Sequence, residues 1–191
     1  MSVILWHGVP GCGKSTVMRA ALTEALRAKP LPVIVLDPGR VAQWADVPHV
    51  PGLPGVHEAA WTRRAHIAFA PRYEDAELLF WALVETGDRS GGFYVVIDEL
   101  REYASGKSVG DNLVNLARRH RHAKVELWMG TQSIGDLRTE LLAAVDTVYT
   151  GCNTAPYNLE ILQRRYKLPA ERVEALKQGE FLKNITGFPG A

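Results

Sequence analysis

With 191 residues, 47% apolar and 23% charged, the chain is long enough for one well-buried core and ordinary in composition for a soluble globular protein. A net charge of +1 excludes a global basic field, so any contact with nucleic acid has to come from a local patch. The two cysteines, Cys12 and Cys152, make neither a disulfide framework nor a metal motif and point to a reducing compartment; no apolar run approaches the ~20 residues of a membrane span, and the opening MSVILWHG is no signal peptide.

Short apolar runs alternate with helical periodicity, the pattern of an α/β protein with a mostly parallel central sheet flanked by helices. Residues 2–6 form the first predicted strand. The helix after the glycine-rich turn carries Val17, Ala21, Leu22 and Ala25 on one stripe and stops near Pro30. A second strand at 33–36 ends in "DPGR". Residues 40–64, with Pro48, Pro51 and Pro54, read as an irregular excursion too rich in proline for a regular element. A short strand at 66–69 precedes a helix in which Ala76, Leu79, Phe80, Leu83 and Val84 follow i, i+3, i+4 spacing. Then come the strand in "FYVVIDEL", a polar loop at 101–112, a helix near 111–121 and the strand "VELWMG". A helix at 137–143, a strand at 147–150, a helical tail over 158–178 and a last strand in "EFLKNI" complete the expected order. With no break in composition, 1–191 is read as one domain.

The first chemical signal is Gly8–Ser15, "GVPGCGKS", a full match to GxxxxGK(S/T) between a strand and a helix. Glycines at 8, 11 and 13 let the backbone close on a phosphate, and N–H groups along Gly8, Pro10, Gly11, Cys12 and Gly13, proline excepted, form an anion nest at a helix N-terminus. Lys14 is expected at the β- and γ-phosphates, Ser15 on Mg²⁺ and Thr16 at the α-phosphate. Cys12 reads as a small residue at an unconstrained position, not a nucleophile.

The second signal is Asp98–Glu99 at the end of a buried strand, the Walker B arrangement. Asp98 would hold the Mg²⁺ hydration shell and Glu99 would orient and polarise the attacking water. The third is Gln132, which would face the γ-phosphate if its strand lies beside the first, between the phosphate loop and Asp98; the alternative is a cap for the next helix by Ser133 or Asp136. Arg118, Arg119 and Arg121, with His120 and His122, are dipole-complementary charge, an arginine finger supplied in trans, or a DNA phosphate contact. Arg63–Arg64 and Arg164–Arg165 read as solvated faces, and the histidines lack metal spacing. In the loop at 101–112, Lys107 is a candidate DNA contact, against a plain surface connection.

On "GVPGCGKST", "VIVLDP", "VVIDEL", "LARRHRHAKVELWMGTQS" and "AVDTVYTG", the chain resembles the FtsK–HerA superfamily of DNA-pumping ATPases over nearly its whole length. That resemblance implies a RecA-like P-loop core, ATP and Mg²⁺, hydrolysis at subunit interfaces of a homo-oligomeric ring taken as a hexamer, and double-stranded DNA gripped by its backbone. It gives Lys14, Ser15, Asp98, Glu99 and Gln132 the roles above. With no membrane anchor, coiled-coil domain or winged-helix reader in view, the small core is similar to the genome-packaging ATPases of tailless, internal-membrane viruses and phages. The partners expected on that branch are capsid or portal-vertex proteins, and the location a virion or the host cytoplasm. A filamentous-phage assembly or conjugation-type ATPase and a P-loop small-molecule kinase are the alternatives. The guanine-reading NKxD of a nucleotide switch is absent from the sequence.

Overall fold

Among the described residues the apolar runs fold into seven strands of one sheet, in the order β3-β2-β4-β5-β1-β6-β7. The structure is a computed structural model that describes residues 1–38, 42–86, 89, 91–104 and 107–185. The strands are β1 (Val3–His7), β2 (Val33–Leu36), β3 (Ile67–Phe69), β4 (Phe93–Ile97), β5 (Val125–Thr131), β6 (Thr147–Thr150) and β7 (Leu182–Ile185). All neighbours pair in parallel except β7, which runs antiparallel to β6 at one edge. The helices are α1 (Lys14–Ala28), α2 (Gly52–Val56), α3 (Tyr73–Thr86), α4 (Arg101–Ala104), α5 (Lys107–Arg119), α6 (Thr139–Ala143), α7 (Pro156–Tyr166) and α8 (Ala170–Glu174), with a 3₁₀ turn at Ala42–Trp44 and a π-helical stretch at His57–Thr62.

A parallel sheet is covered on both faces, so its strands are apolar on both sides, and their side chains divide with period two. Val3, Leu5, Phe93, Val95, Ile97, Leu127 and Met129 join a core shared with α3 and α5. Trp6, Tyr94, Val96 and Trp128 face the other way, onto Met18 and Leu22 of α1 and onto Trp44. On that second face Trp6 stacks on Tyr149 with centroids 4.0 Å apart.

Three sequence expectations need correction. Residues 42–62 contain three helical pieces. Pro51 is the N-cap of α2 and Pro54 lies in its first turn, where the backbone N–H has no helical partner to lose. Before them the chain lines the free edge of β3: Val50 N–H donates to Ala68 O and Ala68 N–H to Pro48 O. That pairing satisfies an edge that would otherwise be exposed. The expected excursion began at residue 40, and residues 40 and 41 lie outside those described. The predicted polar loop after β4 is largely helical, in α4 and the start of α5, because Leu100 and Tyr103, one turn apart, are both buried. The predicted helical tail is split in two: Lys167 ends α7 in the left-handed conformation (φ 56°), and Pro169 cannot continue a helix but caps α8.

Candidate nucleotide site

The phosphate loop follows β1 directly and ends at Gly13, whose φ of 95° and ψ of 11° put the N-cap of α1 in the left-handed region, where a side chain would be strained. The first turn of α1 has no acidic residue, so the positive end of the helix is left for an external anion. Lys14 is buried, and its Nζ donates to Gly8 O at 3.0 Å. That acceptor is neutral, so a phosphate arriving here would meet a cation largely stripped of water, where charge–charge attraction is strong.

A cavity of about 480 Å³ opens beside the loop, at the carboxyl ends of the strands. It is lined by Pro10, Gly11, Lys14 and Ser15 of the loop and the start of α1, by Asp98, Glu99 and Gln132, and by Asp37, Pro38 and Glu102. Ser15 Oγ donates to Asp98 Oδ1 at 2.7 Å, and the Trp44 indole Nε1–H donates to Asp98 Oδ2 at 2.9 Å. Gln132 Nε2 donates to Glu99 Oε2 at 2.9 Å. The strand order makes this possible: β5 lies between β4 and β1, so the residue after it emerges between Glu99 and the loop.

The donor set fits Mg²⁺. Ser15 and Asp98 are hard oxygen donors in contact with each other. Among the described residues no group of three His, Cys, Asp or Glu side chains is arranged to hold a metal by itself. Among the described residues four carboxylates and one lysine line the cavity, so a nucleotide triphosphate is better received with a divalent cation than alone.

Behind the loop sits a buried polar cluster. His7 Nδ1 and Thr150 Oγ1 are 3.1 Å apart, and His7 Nε2 and Asn153 Nδ2 are 3.3 Å apart. Burial, reinforced by the Lys14 charge, lowers the His7 pKa to about 4. From the far side of the sequence, Gly179 N–H donates to Cys12 O at 3.0 Å and Gln178 Nε2 donates to Gly11 O at 2.9 Å. The turn before β7 thus leans on the phosphate loop.

Gly8, Cys12, Gly13 and Thr16 do not line the cavity, and Thr16 is exposed. Cys12 is not at an unconstrained position: it is buried, with its Sγ against Gly8 and Gly151. The Lys107 side chain lies outside the described residues. Arg118 and Arg119 end α5 and Arg121 follows, just before β5 begins at Val125. β5 runs parallel to β1 toward the loop, so these arginines sit at the opposite pole, roughly 20 Å away at ~3.3 Å per strand residue. Arg119 lies 3.9 Å from Glu85, and Arg121 lies 3.3 Å from Asp146.

Sequence reasoning missed Asp37, Glu102, Trp44 and Gly130. Asp37 follows β2 as Asp98 follows β4, and that shared place after an apolar run was the available signal. Gly130 has no sequence mark: a Cβ there would stand 2.5 Å from Asp98 O, so β5 can approach the end of β4 only because it is glycine.

Known structures share this fold. The genome packaging NTPase B204 from Sulfolobus turreted icosahedral virus 2, in complex with AMPPCP, superposes with a TM-score of 0.78 at 19% identity, over 96% of this chain and 92% of that one. The fold is that of a P-loop NTPase. The same P-loop NTPase fold relates the chain to the pCW3 conjugation coupling protein TcpA, bound to ATPγS (TM-score 0.69, 18% identity, 97% of this chain and 57% of that one), and to EssC ATPases 2 and 3 from Geobacillus thermodenitrificans (0.52, 13%, 83% and 36%). By sequence, residues 4–51 match the viral superfamily 1 RNA helicase core domain, a stretch that holds β1, the phosphate loop, α1 and β2. No curated protein matches the chain.

Proposed function

We propose that this chain is an ATPase subunit that drives double-stranded DNA, as a viral genome-packaging motor. The observation that carries the reading is the convergence of Lys14, the Ser15–Asp98 pair and the Glu99–Gln132 pair on one cavity. In that reading Lys14 leaves Gly8 O for the β- and γ-phosphates. Ser15 and Asp98 hold Mg²⁺, which supplies Lewis-acid charge neutralisation at the phosphate oxygens when bound. Glu99 orients and polarises the attacking water. Gln132 donates to Glu99 and can exchange that bond for one to a γ-phosphate oxygen, so the two residues sense the nucleotide state together. The likeness to a packaging NTPase over nearly the whole of both chains supports the packaging branch.

The motor reading further takes the active form as a homo-oligomeric ring, in a virion or in the host cytoplasm, with capsid or portal-vertex proteins as partners. Among the described residues no helix is long and apolar enough to cross a membrane. A conjugation-type ATPase is the second reading, favoured by the likeness to TcpA. Both readings require DNA-stimulated hydrolysis; a small-molecule kinase requires an acceptor instead.

The test is ATP turnover with and without duplex DNA. Stimulation that weakens with added salt is the expected result, since the contacts are to backbone phosphates. Glu99→Gln should retain ATP binding and lose at least about a hundredfold in turnover, the scale of a general base. Turnover indifferent to DNA and to Glu99→Gln would remove the motor reading.

A further inference from the structure

Trp44 belongs to none of the sequence motifs, yet it reaches Asp98 from 54 residues away. Its side chain is 1% exposed, and its indole N–H holds Asp98 Oδ2 while Ser15 holds Oδ1. The carboxylate is therefore gripped at both oxygens, one from each side. The 3₁₀ turn that carries Trp44 is itself tied to α1. The Arg19 guanidinium lies 5.5 Å from the Trp44 ring centroid, donates to Gln43 O and pairs with Asp46. Ser15 and Arg19 of α1, Trp44 of the turn and Asp98 after β4 thus form a closed ring of contacts around one carboxylate.

We propose that Trp44 is a positioning residue for the magnesium site, fixing the rotation of the Asp98 carboxylate so that Oδ1 and its free lone pairs face Ser15 and the cavity. The inference rests on the reading of this cavity as a Mg²⁺–nucleotide site. An indole suits the task because of its charge. A carboxylate oxygen buried beneath the cavity needs a donor, and a lysine or arginine there would supply one but would repel the incoming cation. The indole N–H satisfies Oδ2 and adds no positive charge at the metal. Arg19 above the ring strengthens the donor by withdrawing electron density, while its own charge is met by Asp46. The pairing of Pro48 and Val50 along β3 and the bond of the turn to α1 hold Trp44 in place.

The experiment measures binding of a fluorescent, non-hydrolysable ATP analogue as Mg²⁺ is titrated, in the full chain and in Trp44→Phe. Phenylalanine keeps most of the buried volume and removes the donor. The expected result is a Mg²⁺ half-saturation raised by about tenfold, the usual cost of losing a partner of a metal ligand, with analogue affinity in EDTA unchanged. In an Asp98→Asn background, Trp44→Phe should add nothing to the Mg²⁺ dependence. A folded Trp44→Phe protein with unaltered Mg²⁺ dependence, or one that loses affinity equally with and without Mg²⁺, would overturn the proposal and leave the nucleotide site standing. Failure of the unsubstituted chain to bind the analogue would instead remove the site and the proposal together. Should Trp44→Phe fail to fold, the indole ¹H–¹⁵N resonance of Trp44 in the unsubstituted chain decides, assigned by replacing Trp6, Trp61, Trp81 and Trp128 singly with Phe. It should move when Mg²⁺ is added to the analogue-bound protein; a resonance that stays in place refutes the role.

Discussion

Lys14 and His7 show how single residues at and beside the phosphate loop set affinity and stability. Lys14 is buried against a carbonyl, not a carboxylate, so its charge is best answered by a phosphate. Lys14→Ala should therefore cost at least about a hundredfold in nucleotide affinity, measured by analogue fluorescence, since charge-assisted bonds in a desolvated site are the strong ones. His7 acts on stability. Its pKa is about 4 in the fold, through burial first and the Lys14 charge second, against 6.5 when free. The unfolded chain thus takes up a proton in a range where the folded one does not. The contribution of neutral His7 is fully present above pH 6.5 and is lost as the pH falls toward 4. Between pH 7 and pH 5 this amounts to about 2 kcal/mol. Denaturant midpoints at constant ionic strength should fall over that interval, and His7→Gln should flatten the fall; an equal fall in the variant would assign it to other groups.

At the scale of elements, the site depends on β4 and β5 lying close enough for Asp98, Glu99 and Gln132 to line one cavity. Gly130 permits that approach. Gly130→Ala would press a methyl group onto the Asp98 backbone, and overpacking of that kind costs about 1–3 kcal/mol. A lowered Tm is expected, together with weaker Mg²⁺-dependent nucleotide binding in the folded variant; a drop in Tm alone would mean that the two strands relax without moving Asp98. The same elements show what sequence can reveal. The strands β1, β2, β4 and β5 were legible because a strand buried on both faces is a bare apolar run, and three of them end in the groups that make the site: the glycine loop, Asp98–Glu99 and Gln132. The contribution of Trp44 was not legible, because a contact across 54 residues leaves no periodic trace and proline runs mask the short helices around it. Nor was the turn at Gln178 and Gly179, which meets the loop across 167 residues. The start of α5 was hidden because Lys107, Ser108 and Gly110 carry no apolar stripe.

The whole molecule has two poles, and a motor with an arginine finger in trans would use both. The cavity lies at the carboxyl ends of the strands; Arg118, Arg119 and Arg121 lie at the amino ends, too far to serve their own site. Arg119 and Arg121 are at least half-exposed and pair with Glu85 and Asp146. Exposed pairs of this kind are worth about 0–1 kcal/mol, so a neighbouring subunit could recruit either arginine at little cost. If one of them is a finger in trans, its removal lowers the turnover of the assembled form by roughly 10³-fold or more without affecting nucleotide binding. Complementation separates that role from a structural one. A Lys14→Ala subunit has a dead site and intact arginines; an Arg121→Ala or Arg119→Ala subunit has an intact site and no finger. Each preparation alone is expected to be inactive. Mixed, they create interfaces where a live site meets a neighbour's arginine, and turnover should return in proportion to the fraction of such interfaces. A mixture as inactive as its parts would rule out supply in trans, and an Arg→Ala preparation as active as the unsubstituted chain would leave that arginine as ion-paired surface at the far pole.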